Sequence, residues 1–417
     1  MKTTSTHILS FVALILAINI NTFAQTNSWW PEKSHTLSDL NNINFGDNNT
    51  GWLFGDSVVG INFKFGLIKK TTDKGLNWVP QNMGSNAIQI HSSYAFNTTT
   101  VIAVGRFQTT GNGAVIKTTN GGMSWTRDTT STPQRLFDVD FVSPSVGWIV
   151  GKNGYLATTA NAGLTWSAQT TGTVQNLYSV DFIDANNGWA VGVSSTILHT
   201  TNGGVTYTIQ PCSPVGDLFA VYAFSSTKAI AVGQGGNMVM TTNGGGTWNV
   251  INSGTTSDLL DITFVDAMNG WAVGVGGTMV VTTDGGLTWA TQVCGTTNDI
   301  TSISMKSTGL GWYCGLSGTV GFYGTSPVLV HEYNVENNSA RISPNPMTEE
   351  AVIKLIGNKV DNWNLNVTDI TGRKVLEVFN INSSSYTIKK ENLLTGVYFY
   401  TVYSKEGTVA QGKLIIQ

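Results

Sequence analysis

The chain has 417 residues, a net charge of −3 and only 11% Asp, Glu, Lys and Arg, against about 25% in an average soluble domain. Its surface must therefore be built from Thr, Asn, Ser and Gly, and 47 glycines point to many tight turns rather than many helices. This balance excludes a strongly basic nucleic-acid binder, and one short apolar run at the N-terminus excludes a polytopic membrane protein.

Lys2 precedes an apolar stretch from Ile8 to Ile20 that is too short to span a bilayer, and Thr22-Phe23-Ala24 places small residues where a signal peptidase reads them. Residues 1–24 are expected to be a signal peptide cut between Ala24 and Gln25, leaving no transmembrane segment in the mature chain. Export permits disulfides. Cys212 and Cys294 nevertheless fall at equivalent places two repeats apart, Cys314 falls on a core position, and no zinc-site spacing occurs. Three unpaired structural cysteines, with no metal and no cofactor, are expected.

From Trp29 to Ser326 the sequence repeats itself, the signature of an array of supersecondary units. Six boxes run from Asp73, Asn120, Asn161, Asn202, Asn243 and Asp284 to an aromatic at Trp78, Trp125, Trp166, Tyr207, Trp248 and Trp289, the last five aromatics lying 41 residues apart. A second motif, Gly-Trp-Ala-Val-Gly at 188–192 and 270–274, has variants ending at Gly55, Gly105, Gly151, Gly233 and Gly315. Each unit reads as four short strands, A to D, with period-2 patterning and a turn every 8–12 residues, the size of a propeller blade. Seven Gly-Trp motifs against six boxes leave the last unit short. Trp29 lies as far before Phe45 as Trp125 before Phe141 and Trp248 before Phe264. The Trp29 segment is therefore predicted to supply strand D of the last blade and close a seven-bladed ring, because an open ring would expose an unpaired edge.

The Thr-Thr-(Asn/Asp)-Gly-Gly-x-Thr-Trp boxes resemble the Asp-box, or BNR, repeat. Their chemistry is local: the Asx side chain bonds nearby backbone N–H groups, Gly supplies positive φ, and the aromatic covers the hairpin. They are assigned a structural role.

Two departures from the repeat mark candidate binding residues. The stretch from the strand-B Gly to the box aromatic is longer in the first two units, Gly55 to Trp78 and Gly105 to Trp125, than in Gly274 to Trp289. The extra B–C residues include Phe63, Lys64, Phe65, Arg106 and Phe107, and added loops on a rigid scaffold are where recognition tends to sit, unless these Phe side chains simply pack together. In the D–A loops, Asp39, Asp217, Asp258 and Asp299 are expected to rim the channel on the same face, as cation or ligand groups or as plain turn residues.

Asp-box propellers include sialidases and other glycoside hydrolases. A sialidase site needs an arginine cluster, but only Arg106, Arg127 and Arg135 occur between residues 25 and 326, in two neighbouring units from which convergence is not expected. No Glu lies between Glu32 and Glu332, and His35, His91 and His199 form no Ser/His/Asp pattern. An Asp pair at the channel mouth acting as acid and base remains as the catalytic alternative.

Across about residues 29–326 the two motifs together resemble the photosystem II assembly/stability factor type of BNR-like propeller. That resemblance implies a seven-bladed, non-catalytic scaffold that binds protein partners. Members of that family present an Arg-rich patch, whereas this propeller carries 12 basic and 16 acidic residues with three Arg.

After Ser326 the repeat stops, and residues 327–340 read as a linker. Alternating strands in 341–417 suggest a small immunoglobulin-like β-sandwich. Pro344-Asn345-Pro346, the Asp369–Gly372–Arg373 turn and Gly396-Val-Tyr398 resemble the type A sorting domain of the type IX secretion system. The resemblance implies that the tail is read by the type IX machinery and removed as the passenger crosses the outer membrane, the passenger then being released or attached to surface lipopolysaccharide. The expected protein is all-β, a seven-bladed β-propeller followed by that sandwich. It is secreted or held at the outer cell surface via the periplasm and binds a protein or glycan partner.

Overall fold

The computed structural model describes residues 27–59, 63–83, 88–127, 132, 134–213, 216–324, 338–357, 362–391, 393–404 and 407–417. The expected signal peptide, its Ala24–Gln25 junction and most of the expected linker lie outside the described residues. The chain divides into two units, Met1–Pro327 and Val328–Gln417.

The described residues of the first unit form seven four-stranded antiparallel sheets. Strand A of the sheets is, in chain order, Asp39–Phe45, Ile88–Ala95, Leu136–Phe141, Leu177–Phe182, Leu218–Ala223, Leu259–Phe264 and Ile300–Ser307. In the seventh sheet the outer strand is Ser28–Lys33, paired with Thr319–Gly324 in a register that sets Trp29 against Tyr323. The Trp29 indole N–H donates to Gln292 Oε1 at 3.1 Å, and its ring joins Trp271, Ile303 and Tyr313 in one core cluster. The first and last described strands of the unit thus share one sheet, in which Ser28–Lys33 covers the edge that Thr319–Gly324 would otherwise expose.

Strand B of each sheet, such as Gly188–Gly192 or Gly270–Gly274, is a continuous buried run because the sheets on either side cover both of its faces. The strand-B tryptophans Trp52, Trp148, Trp189, Trp271 and Trp312 are buried in those seams. Trp148 stacks on Phe182 of the following sheet at 3.6 Å between ring centres, and Trp312 stacks on Phe45 of the first sheet at 3.5 Å. Burying side chains of this size contributes about 1.5–3 kcal/mol each.

The boxes are closed hydrogen-bond systems. In all six, the first Thr hydroxyl accepts a Gly N–H at 2.9–3.0 Å and donates to the Asx Oδ1 at 2.7–3.0 Å. Bonds from the Thr288 hydroxyl first, then from Thr288 N and the Thr282 hydroxyl, hold the Asp284 carboxyl down at about 2. The box aromatics cap the hairpin from outside, Trp78 and Trp289 meeting Phe45 and Phe264 edge-on.

The second unit packs two sheets around Trp363, Leu365, Val367, Tyr398 and Tyr400. Its first described strand, Asn338–Ser343, begins inside the stretch expected to be linker. Asn345, between two prolines, imitates a strand: its Nδ2 donates to Lys413 O and its Oδ1 accepts from Ile415 N, both at 2.8 Å. Asp369 closes its turn by accepting from Thr371 and Arg373, which keeps its carboxyl at about 2, while Gly372 takes φ +82°. The Tyr398 hydroxyl donates to Leu394 O at 2.8 Å.

Candidate functional site: the channel mouth

Inner strands of a propeller cannot pair with one another, so side chains must join them. A β-bulge at the second, third or fourth residue of each strand A, seen as a register slip between Leu136 and Asp138 or Leu259 and Asp261, turns one residue per sheet out of the ladder toward the D–A face. His91, Phe137, Tyr178 and Phe219 occupy this position in four successive sheets. Their rings form a half-buried arc with centres 6.1, 5.3 and 5.7 Å apart. Leu260, Thr301 and Asn41 continue the circle without aromatic rings.

The four predicted Asp residues do sit on this face, but as clasps between sheets. Asp217, Asp258 and Asp299 Oδ1 accept the backbone N–H of Ser194, Gly235 and Gly276 at 2.7–3.0 Å, each at the tip of the B–C turn of the preceding sheet. Asp39 accepts from Ser317 at 3.3 Å and so joins the seventh sheet to the first. Asn176 does the same for Asn153. The backbone carbonyls of Arg135, Asn176, Asp217, Asp258 and Asp299 simultaneously accept from their own B–C turns, as Asp258 O does from Val275. The strand-B Gly makes room for that carbonyl: a Cβ on Gly274 would lie 1.8 Å from Asp258 O, and one on Gly151 would lie 2.2 Å from Arg135 O.

Arg135 and Gln89 hold this position in the third and second sheets, where the chemistry changes. Arg135 Nε donates to His91 Nε2 at 2.9 Å, and its guanidinium lies 5.1 Å from the Phe137 ring centre. Arg106 Nε donates to Gln89 Oε1 at 2.7 Å, and Gln89 in turn donates to the buried Asp56 carboxylate. Burial, and then the charges of Arg135 and Arg106, push His91 down to about 3, so it stands neutral between them. Burial and then Arg106 also disfavour the charge on Arg135, with Asp56 the described carboxylate that supports it. Arg106 and Arg135, from neighbouring sheets, thus act on one histidine, each held by its own partner. Arg127 instead lies beside Phe107, 5.8 Å from its ring centre.

Phe107 is half-buried against the core of the second sheet. Phe63, Lys64 and Phe65 lie on the strand of the first long hairpin, paired with Val59, Val58 and Ser57. That hairpin runs past Asp56, where the pairing with strand A ends.

Inside the mouth a cavity of about 310 Å³ follows the channel. Its walls carry Asp138, Asp140, Asp181 and Asp261, whose role the sequence reading missed. Each accepts the N–H of the next inner strand: Val180, Phe182, Ala223 and Ile303, at 2.6–3.0 Å. Ser92 donates to Asp138 at 2.7 Å from the other side, and Asn42, Ser93 and Ser302 close the belt around the first sheet. Among the described residues no group of His, Cys, Asp or Glu is arranged to hold a metal, all three cysteines are free, and no helix is long and apolar enough to cross a membrane.

Comparison with known proteins places this geometry. The family described as photosynthesis system II assembly factor YCF48 matches residues 128–253 and 246–346, together more than half of the chain, and the secretion system C-terminal sorting domain matches 341–417. No curated protein matches the sequence. A solved YCF48 bound to a D1 peptide is similar at 18% identity and TM-score 0.58, covering 72% of this chain and 98% of its own. YCF48 from Cyanidioschyzon merolae is similar at 20% identity and TM-score 0.57, covering 71% and 98%. The WD40 propeller of Doa1 follows at 11% and 0.54, covering 71% and 97%. At these identities the structures establish the β-propeller fold, and the tail establishes type IX sorting to the cell surface or beyond. The chain belongs to the photosynthesis system II assembly factor YCF48 family and carries a type IX secretion sorting domain at its end.

Proposed function

We propose that this protein is a non-catalytic binding propeller, exported through the periplasm and displayed or released at the cell surface, whose partner docks on the channel mouth. The carrying observation is the division of that mouth. The Asp39, Asp217, Asp258 and Asp299 carboxylates are engaged in holding turns, whereas Arg106 and Arg135 are oriented through Nε by neutral acceptors, Arg135 against the first ring of the Phe137–Tyr178–Phe219 arc. Guanidinium forks next to half-buried aromatic rings suit a protein segment carrying carboxylates. The long hairpins bearing Phe63, Lys64, Phe65 and Phe107 would flank it. A family relative with a bound peptide supports a peptide-like ligand.

The engagement of the four Asp side chains speaks for binding rather than for acid–base hydrolysis by an Asp pair. A photocrosslinker placed at Tyr178 in the exported protein should capture a partner at the cell surface, and one placed at Met123, on the opposite box face, should not. Equal capture from both positions, or capture from Met123 alone, contradicts the reading.

A further inference from the structure

We propose that the belt of inner-strand carboxylates is a proton-operated clasp: near neutral pH Asp140 and Asp181 hold a proton between them, and its loss loosens the junctions that they staple. This goes beyond the docking face and does not depend on what binds there.

Asp140 and Asp181 occupy the same place in successive inner strands, Leu136–Phe141 and Leu177–Phe182, and both line the one cavity. Asp140 Oδ2 accepts from Phe182 N at 2.8 Å and Asp181 Oδ2 from Ala223 N at 2.6 Å, so one carboxyl spans the junction of the third and fourth sheets and the other that of the fourth and fifth. Asp138 faces the same space from two residues back, with Asp261 further round and Tyr94 and Tyr222 from the neighbouring inner strands. The strand-B residues paired behind the two carboxyls are Trp148 and Trp189, which bring no charge. Lys306 is the cation lining the cavity, and Asp47 is the carboxylate whose charge acts on it. Elsewhere the belt uses neutral groups for the same task, as where Ile43 N donates to Ser302 Oγ at 3.4 Å.

Half-buried around one cavity, the acidic groups lose part of their hydration, and like charges across it oppose ionisation further. Burial first, then the neighbouring carboxylates, pushes Asp140 and Asp181 well up, and burial pushes Asp261 to about 7. Groups that hold protons more tightly folded than unfolded contribute stability that is full below the ordinary carboxylate value, about 4, and lost as pH rises through the folded value. The clasp is therefore tight on the acid side and loosens toward pH 8.

Hydrogen exchange on the full chain at pH 6 and pH 8, corrected for intrinsic rates, tests this. Protection of the Phe182 and Ala223 amides should fall about tenfold or more between the two, as about 1.4 kcal/mol of local stability is lost, while Ile43, held by a serine, keeps its protection. Asp140→Asn with Asp181→Asn, which retains an acceptor but no charge, should abolish the difference. Equal loss at Ile43, or an unchanged pH response in the double variant, overturns the proposal. Should the variant not fold, the infrared carbonyl band of a protonated carboxyl in the unaltered protein at pH 7 decides: its presence is expected, and its absence overturns the clasp.

Discussion

The two arcs of the channel mouth use one backbone plan for different ends. From the fifth sheet round to the first, each D–A residue is an Asp whose side chain holds the B–C turn of the preceding sheet, and in the fifth to seventh sheets its carbonyl holds its own B–C turn as well. In the second and third sheets the same place holds Gln89 and Arg135, each bonded to or through a guanidinium, with Arg135 beside the Phe137 ring, while the tight B–C turn gives way to longer hairpins in the first and second sheets. A repeat keeps its architecture through the positions that all copies share, and it gains a recognition surface where a few copies stop sharing them.

The comparison breaks first at what both arcs have in common. Gly274→Ala in the acidic arc and Gly151→Ala in the arginine arc should each cost about 3 kcal/mol or more of unfolding free energy in denaturant titrations, since a Cβ at either place meets a carbonyl at 1.8 or 2.2 Å. Asp258→Ala with Asp299→Ala comes next. Losing two backbone-capping carboxylates should destabilise the propeller by about 1–2 kcal/mol each while leaving partner capture intact. Arg106→Gln with Arg135→Gln should do the reverse, shifting stability by less than about 1 kcal/mol and weakening partner binding at least tenfold. In the second unit, Asn345→Ala removes two hydrogen bonds to the last strand and should lower the sandwich's stability by about 1–2 kcal/mol. Deleting 341–417 should keep the propeller from reaching the cell surface, read by fractionation.

Much of the architecture is legible in the sequence because it is written seven times. The 41-residue spacing of the box aromatics and the Gly-Trp motif mark strands, turns and sheet edges, and the offset of Trp29 from Phe45 marks where the first strand belongs. The mouth is harder to read. Its aromatic ring depends on a bulge whose trace in the sequence is a broken alternation: Leu259 to Ile262 is three residues, where a regular strand would give two. The Asp residues are visible as a rim. Their partners, however, are backbone N–H groups of the preceding sheet, which no spacing within one unit reveals. Arg106 and Arg135 belong to different units, and their approach follows from the third dimension alone. Asp138, Asp140, Asp181 and Asp261 read as ordinary polar positions of alternating strands, since alternation separates the two faces of a strand but does not say that one face lines a channel.

The most direct test of the account is partner capture at the cell surface by two exported double variants side by side, Arg106→Gln/Arg135→Gln and Asp258→Asn/Asp299→Asn. The account predicts that capture by the arginine variant falls at least tenfold while the aspartate variant captures as the unaltered protein does. Full capture by the arginine variant, with loss in the aspartate variant, would contradict it.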